Sequence, residues 1–189
     1  RSLILQEYIP FRHATDEVPT YCYFDANHNL KIYANGVKKL IHPPKFGTAL
    51  VLELSYDEEL FDFAATVGKA LKWYGPLMIE FVRDPDSGRL LILEVNTRPW
   101  LFHDFYRQCG LPFISSFLNE LAGNEMPPEV MVPSSKHRGS LNVDLQALAK
   151  LPEVSQTSTK SKSAALKSIL KSFGKKNLYS AHLDFDDPN

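Results

Sequence analysis

The stretch that decides the fold runs from Leu90 to Trp100 and reads LLILEVNTRPW. Its four opening aliphatic residues are typical of a buried β-strand. After them a carboxylate, an amide and a guanidinium follow at every second position, on Glu94, Asn96 and Arg98. Side chains alternate between the two faces of a strand, so these polar groups are predicted to share one face with the first and third aliphatic residues. A strand that changes from apolar to charged along one face indicates a site at its far end.

A second strand pattern precedes this stretch, and the two together predict a β-hairpin. Leu77 to Arg83 is mostly apolar and carries one acid, Glu80, and the turn-forming run Asp84 to Gly88 follows it. Antiparallel counting from the turn predicts the pairs Asp84 with Leu90, Val82 with Ile92 and Glu80 with Glu94. The hairpin is therefore expected to hold two carboxylates opposite each other.

Two opposed carboxylates repel, so their surroundings have to supply a compensating charge or water. One interpretation is a structural salt-bridge cluster with Arg98 and with Lys38 or Lys39. Another is a divalent cation held with the amide oxygen of Asn96, and a third is that both acids are simply solvated. Mg²⁺ accepts such oxygen ligands in company with substrate phosphates, and a nearby arginine suits bidentate phosphate contact. The metal interpretation points to phosphoryl transfer, in which positioning and charge neutralisation dominate.

The rest of the chain groups strands with strands and helices with helices, which favours an α+β fold with an antiparallel sheet. The other predicted strands are Leu3–Ile9, Tyr21–Phe24, Leu30–Ile41 and Leu50–Leu54, with a polar loop over Phe11–Thr20. The most regular helix is predicted to begin at a capping box of Ser55 and Glu58 and to continue until Gly75. Further predicted helices are His103–Cys109, Phe113–Leu121 and a basic helix around Ala164–Phe173.

Composition and charge narrow the function classes. The chain has 189 residues, 44% hydrophobic content and a net charge of −1, which predicts a folded core and no global attraction to nucleic acid or an anionic membrane. No signal peptide or membrane span is visible, and Cys22 and Cys109 match no metal-ligand spacing. These patterns predict a cytoplasmic protein with buried, reduced thiols that binds neither nucleic acid nor membrane. A strand pattern begins at the first residues, so a preceding part of the fold is expected to be missing.

Four motifs, in this order, resemble the ATP-grasp superfamily, specifically the C-terminal nucleotide-binding half of that fold. LILQEYIP at Leu3–Pro10 looks like the hinge whose backbone holds the adenine ring. NGVKKLIHPPKFG at Asn35–Gly47 resembles the strand that brings a lysine toward the phosphates. MIEF at Met78–Phe81 and LEVNTRPW at Leu93–Trp100 are similar to the two strands that supply metal ligands and a phosphate-contacting arginine. In addition, the final LDFDDPN at Leu183–Asn189 is similar to a tail of carboxylate-amine ligase members.

The resemblance implies roles for individual residues. Those expected to bind Mg²⁺, or Mn²⁺ in its place, are Glu80, Glu94 and Asn96. Those expected to act on the phosphates or an acyl-phosphate are Arg98 and either Lys38 or Lys39, between which the spacing does not choose. Those expected to form the adenine hinge are Gln6, Glu7, Tyr8 and Ile9, although an ordinary core strand has the same pattern.

The resemblance covers residues 1–125, the predicted ATP-grasp C-terminal subdomain, and extends weakly over 126–189, a predicted extension with a linker, a basic helix and a final strand. It implies an ADP-forming ligase that joins a carboxylate and an amine through an acyl-phosphate, using ATP and Mg²⁺, and that is inactive as this portion alone. The apolar run from Trp100 to Phe102 follows the arginine where the biotin-carboxylase branch continues with polar catalytic residues, which favours an organic acid over bicarbonate. The alternatives are a carbamoyl-phosphate-synthase-like enzyme using bicarbonate or carbamate, and a nucleotide-binding or assembly module without turnover.

Overall fold

The computed structural model describes residues 3–9, 16–42, 47–134, 139–141 and 178–180. Its strands are β1 (Glu17–Phe24), β2 (Leu30–His42), β3 (Thr48–Ser55), β4 (Gly75–Arg83), β5 (Leu90–Asn96), β6 (Gly139–Leu141) and β7 (Leu178–Ser180). Its helices are α1 (Glu58–Leu71), α2 (His103–Gln108) and α3 (Phe113–Leu121). The described strands form one sheet in the order β5-β4-β1-β2-β3-β6-β7, in which only β6 and β7 pair in parallel. The predicted α+β fold with a mainly antiparallel sheet is confirmed.

Alternation along β1 divides the apolar residues between two cores, one on each face of the sheet. Phe24 packs in one core with Leu60 of α1. Tyr21 packs in the other with Phe105 of α2 and Phe113 of α3. We call the face covered by α2 and α3 the site face, because the candidate functional residues project from it.

A β-bulge at Leu93 sets the register of the β4–β5 hairpin. On the turn side the pairs are Arg83 with Leu90, Val82 with Leu91 and Phe81 with Ile92. Beyond Leu93 they are Glu80 with Glu94, Ile79 with Val95 and Met78 with Asn96. The predicted pair of Glu80 with Glu94 is confirmed. The predicted pairs of Val82 with Ile92 and of Asp84 with Leu90 are wrong, because Leu90 pairs with Arg83 and not with Asp84. The unpaired Leu93 then shifts the register by one residue, so that Glu80 still pairs with Glu94.

The bulge also changes which face each half of β5 presents. Paired residues lie on the same face of a ladder, so Ile92 lies with Phe81 on the α1 face, whereas Glu94 lies with Glu80 on the site face. The prediction of one continuous face along the strand is therefore wrong. The aliphatic half is also less buried than predicted, with Ile92 43% and Leu93 39% exposed, because β5 is an edge strand of the sheet.

Helix α1 begins at a different cap from the one predicted. The carboxylate of Asp57 accepts a hydrogen bond from the Leu60 N–H at 3.1 Å and is the N-cap. The predicted capping box at Ser55 is wrong, because Ser55 still belongs to β3 and pairs with Asn35. The helix ends at Leu71, where the next residue adopts a left-handed conformation, so it is shorter than predicted.

Predictions for the N-terminal part fail in two places. Residues 3–9 are irregular chain outside the sheet, with Leu3 and Leu5 89% and 94% exposed, so the strand predicted over Leu3–Ile9 is wrong. An alternating pattern becomes a strand only where another strand edge accepts its backbone hydrogen bonds. The predicted loop over Phe11–Thr20 is wrong at its end, because β1 begins at Glu17 and pairs there with Val82 of β4.

The sheet continues past residue 125, since Met131 bridges to Ile32 and β6 pairs with β3. The division of the chain into a subdomain at residues 1–125 and an extension at residues 126–189 remains a prediction. The basic helix around Ala164–Phe173 and the tail at Leu183–Asn189 lie outside the described residues.

Two other expectations concern the thiols and the membrane. Cys22 and Cys109 are both buried and unpaired, as predicted, and burial raises the pKa of the Cys109 thiol to about 12. None of the helices in the described part of the chain is long and apolar enough to cross a membrane.

Candidate functional site

A cavity of about 320 Å³ lies on the site face, between the sheet and the segment that follows β5. The charged residues that line it are Glu17, Lys38, Glu80 and Arg98. The other residues that line it, most of them apolar, are Pro19, Tyr21, Gly47, Thr48, Ala49, Leu52, Met78, Trp100, Leu101 and Phe102. Charged groups from β1, β2, β4 and the end of the hairpin therefore meet beside an apolar surface.

The two candidate lysines on β2 have different surroundings. The ammonium group of Lys38 forms an ion pair with Glu17 of β1, and both side chains are only about 10% exposed. Lys39 lies outside the cavity, where its Nζ is 2.7 Å from a carboxylate oxygen of Glu53 and its side chain is 40% exposed. Of the two lysines that fit the sequence motif equally well, Lys38 is the one that lines the cavity.

Glu80 is half-buried in the wall of the cavity, near the ammonium group of Lys38 and the carboxylates of Glu17 and Glu94. Burial raises the pKa of its carboxyl above the ordinary value, Lys38 opposes this effect, and the carboxylates of Glu17 and Glu94 add to it. Glu80 thus has one neighbouring ammonium group, which is already paired with Glu17, and two neighbouring carboxylates. A further cation at Glu80 would relieve this repulsion.

The donor atoms beside Glu80 fit a hard divalent cation. Glu94 is directly opposite Glu80 on the same face, and Asn96, which is 9% exposed, follows on that face opposite Met78. Neither Glu94 nor Asn96 lines the cavity itself; they lie beside it on the edge strand. Across the described ranges no three His, Cys, Asp or Glu side chains gather into a metal-binding group. A cation there would take further oxygen ligands from Asn96, substrate phosphates and water, the mixed set that Mg²⁺ accepts.

Arg98 reaches the cavity from beyond the strand. β5 ends at Asn96, and Arg98 stands in a bend, exposed to solvent, so strand alternation is not what brings it to the site face. Its Nη1 contacts the carbonyl oxygen of Pro99 at 3.5 Å. In the portion of the chain that the structure describes, Arg98 forms no ion pair, although it lines the same cavity as Glu80. Its guanidinium is therefore placed to bind an anion there.

The residues expected to hold adenine lie apart from this cavity. Gln6, Glu7 and Tyr8 are exposed, Ile9 is half-buried, and none of the four lines the cavity. The structure does not bring them together with Lys38, Glu80 and Arg98, and their role remains a prediction.

Sequence reasoning missed Glu17, which forms the ion pair with Lys38. Asp16 to Pro19 reads as a polar, proline-containing loop, and that reading hid the strand. The signal that could have found it is alternation: Glu17, Pro19 and Tyr21 occur at every second position and all line the cavity.

Comparison with solved structures identifies the fold. A biotin carboxylase from Campylobacter jejuni in complex with β-γ-ATP aligns with a TM-score of 0.51 and 17% identity, over 65% of this chain and 28% of that one. N5-carboxyaminoimidazole synthetase from Staphylococcus aureus, complexed with ADP, aligns with a TM-score of 0.51 and 13% identity, over 67% of this chain and 34% of that one. Both are ATP-grasp proteins, so the predicted resemblance to an ATP-grasp subdomain is confirmed at the level of the fold. The chain spans about a third or less of their length, and its sequence matches no family model and no curated protein.

Proposed function

We propose that the chain is the Mg·ATP-binding part of an ADP-forming ligase that joins a carboxylic acid to an amine through an acyl-phosphate. The observation that carries the proposal is the meeting of Lys38, Glu80 and Arg98 in one cavity, next to the opposed carboxylate of Glu94. A phosphoryl transfer needs cations arranged around the moving phosphate and a place for the acceptor. The cavity offers both.

Each residue has a defined part in this reaction. Glu80, Glu94 and Asn96 would hold Mg²⁺, or Mn²⁺ in its place, which supplies charge neutralisation to the phosphates when it is bound. Glu17 orients Lys38 by their ion pair, so that the ammonium is held inside the cavity. Arg98 would bind the acyl-phosphate. In the first step a carboxylate oxygen of the acid takes the γ-phosphoryl group and ADP leaves; in the second the amine attacks the acyl carbon and phosphate leaves.

Other parts of the proposal depend on more than this cavity. Gln6, Glu7, Tyr8 and Ile9 would contact adenine through the backbone, as the sequence resemblance implies. An ATP-grasp enzyme closes on ATP from two sides, so we propose that a further N-terminal part of the fold completes the site and that the chain alone does not turn over. We also propose a cytoplasmic location.

The proposal is tested by ADP release from the full-length protein, screened against pools of carboxylic acids and amines. We expect release that requires Mg²⁺, one acid and one amine together. Release that depends on bicarbonate instead would favour the carbamoyl-phosphate-synthase-like alternative. Nucleotide binding without any ADP release would favour a module that lacks turnover.

Arg98→Ala provides a sharper test of the chemistry. Because Arg98 is proposed to bind the acyl-phosphate, its loss should lower the rate of the chemical step by at least about 100-fold while ADP affinity changes little. The matched control is Arg89→Ala, which removes an exposed arginine outside the cavity and should leave both quantities unchanged. An equal loss of rate and ADP affinity in Arg98→Ala would indicate a structural arginine.

A further inference from the structure

The ammonium group of Lys38, which is proposed to face the phosphates, already has a partner of opposite charge. It forms an ion pair with the carboxylate of Glu17, and both residues line the cavity with side chains about 10% exposed. Water and salt screen such a buried pair much less than a surface pair. A phosphate that approaches Lys38 therefore meets a neutralised ammonium group with a carboxylate beside it.

The formal charges at the cavity do not favour an anion that arrives without a cation. Among the residues that line it, Glu17 and Glu80 cancel the charges of Lys38 and Arg98. Glu94, opposite Glu80 on the neighbouring strand, adds a further negative charge beside them. These carboxylates repel the phosphates of metal-free ATP, whereas a divalent cation on Glu80 and Glu94 removes that repulsion.

Glu17 lies between the ammonium group of Lys38 and the proposed metal ligand Glu80. Strand β1, which carries Glu17, is flanked by β2 and β4. On β4 the partner of Pro19 is Glu80 and the partner of Glu17 is Val82, so the two acids are diagonal neighbours on one face of the sheet. Their carboxylates repel, and this repulsion contributes to the raised pKa of Glu80. Glu17 thus acts both on the phosphate-binding group and on the metal-binding group of the cavity.

We infer that Glu17 is a specificity-determining residue that makes the site select Mg·ATP over metal-free ATP. Because Glu17 neutralises Lys38, the ammonium group alone does not attract the phosphates, and the divalent cation has to supply the missing positive charge. The inference rests on the proposed function, since it takes Lys38 as a phosphate ligand and Glu80 as a metal ligand. It gives the buried ion pair a part in choosing the nucleotide, in addition to holding Lys38 in place.

Glu17→Gln in the full-length protein tests the inference, because the amide keeps the shape of the side chain and removes its charge. ATP titrations in Mg²⁺ and in EDTA give two dissociation constants, and their ratio measures how strongly binding depends on the cation. Metal-free ATP carries more negative charge than Mg·ATP, so it gains more from the ammonium group that the variant releases. We expect the ratio of the metal-free to the Mg²⁺ dissociation constant to fall at least about tenfold. An unchanged ratio would overturn the inference.

The adjacent lysine provides a matched control. Glu53→Gln releases Lys39 from its ion pair outside the cavity and should leave the ratio unchanged. Adding Lys38→Met to Glu17→Gln restores the original net charge of the cavity and should return the ratio to within about threefold of the wild-type value. Urea unfolding of each variant verifies that it is folded. Equal effects of Glu53→Gln and Glu17→Gln, or a fall that persists in full in the double variant, would overturn the inference.

ADP release measured on the same proteins, with the pools of acids and amines, separates this inference from the proposed function. Release by the wild type together with an unchanged ratio in Glu17→Gln would overturn the inference and leave the ligase proposal standing. The expected fall of the ratio in a protein that releases no ADP would support the inference and overturn the ligase proposal. No binding of ATP by the wild type in Mg²⁺ would overturn both.

Discussion

Glu80 lies directly opposite Glu94 because Leu93 is left out of the β4–β5 ladder. If Leu93 were paired in the ladder, the regular alternation of β5 would place Glu94 on the face of Ile92, toward α1. The bulge instead delivers Glu94 and Asn96 to the face that carries Glu80, Lys38 and the cavity. The proposed metal site thus depends on Leu93 being left out of the β4–β5 ladder.

Deleting Leu93 should remove the bulge and keep the carboxylate pair. In the shortened strand Glu94 follows Ile92 directly and still lies opposite Glu80, and the lost side chain is 39% exposed, so we expect a loss of at most about 1 kcal/mol in the free energy of unfolding. Deleting Val95 is the control, because it moves Asn96 to the α1 face. Urea unfolding and Mg²⁺-dependent ATP binding are measured for both deletion variants. Equal losses of stability and of ATP affinity in the two variants would contradict the assignment of the bulge to Leu93.

Glu94→Gln should weaken Mg²⁺-dependent ATP binding by at least about tenfold without destabilising the protein, because it removes one metal ligand and one repulsive charge from the exposed edge strand. Calorimetric titration with ATP, with and without Mg²⁺, measures the effect. Glu125→Gln removes an exposed carboxylate elsewhere and should change nothing. Unchanged Mg²⁺ dependence in Glu94→Gln would remove Glu94 from the metal site.

Glu80 should make the stability of the protein depend on pH. Burial raises its folded-state pKa above the ordinary value of 4.5, so its contribution to stability is full below that value and is lost as pH rises through the folded pKa. Wild type should therefore gain stability, relative to Glu80→Gln, on acidification from neutral pH toward pH 4.5. Urea unfolding at several pH values compares the two proteins, and parallel profiles would contradict a raised pKa at Glu80.

The adjacent lysines of β2 form a matched pair of variants. Lys38→Met strands the buried carboxylate of Glu17 without its cation and should cost about 3 kcal/mol of unfolding free energy. Lys39→Met breaks only an exposed ion pair with Glu53 and should cost less than about 0.5 kcal/mol. Denaturant unfolding gives both values. Similar losses of unfolding free energy in the two variants would contradict the assignment of Lys38 to the buried cavity and of Lys39 to the surface.

Asp57→Ala should destabilise the protein by about 1 kcal/mol, because it removes the hydrogen bond that caps α1. Ser55→Ala should have an effect within about 0.5 kcal/mol, since Ser55 is the last residue of β3 and not a cap. Thermal and urea unfolding of the two variants decide between the caps. A larger loss in Ser55→Ala would restore the sequence-based assignment.

Local signals made the hairpin and its acid pair predictable. The turn composition and the alternation of β4 are contained in a few consecutive residues, and α3 was predicted with the bounds it has, Phe113–Leu121. The bulge was not predictable, because an unpaired residue within four consecutive aliphatic side chains leaves no mark in the sequence. Which of those side chains drops out of the ladder is set by how β5 pairs with β4 in the folded chain.

The failure at β1 has a different physical cause. Proline has no N–H to donate and usually excludes a central strand, so Pro19 made this segment read as a loop. In the structure β1 pairs with β2 only from Thr20 onward, and at Pro19 it has a neighbour on the β4 side alone. The missing donor is tolerated there because one edge of β1 is still open. Because the beginning of β1 was predicted as a loop, Glu17 was not predicted as a site residue.

Leu93 divides β5 into two segments that are out of phase with each other. Substitutions at Leu90 or Ile92 adjust how the hairpin is attached to α1, and they leave the direction of Glu94 and Asn96 unaltered. Selection for stability and selection for chemistry can therefore act on neighbouring residues of one short strand without conflict. β5 lies at the edge of the sheet and pairs only with β4. A bulge there disrupts the backbone hydrogen bonds of one ladder, whereas in a central strand it would disturb two.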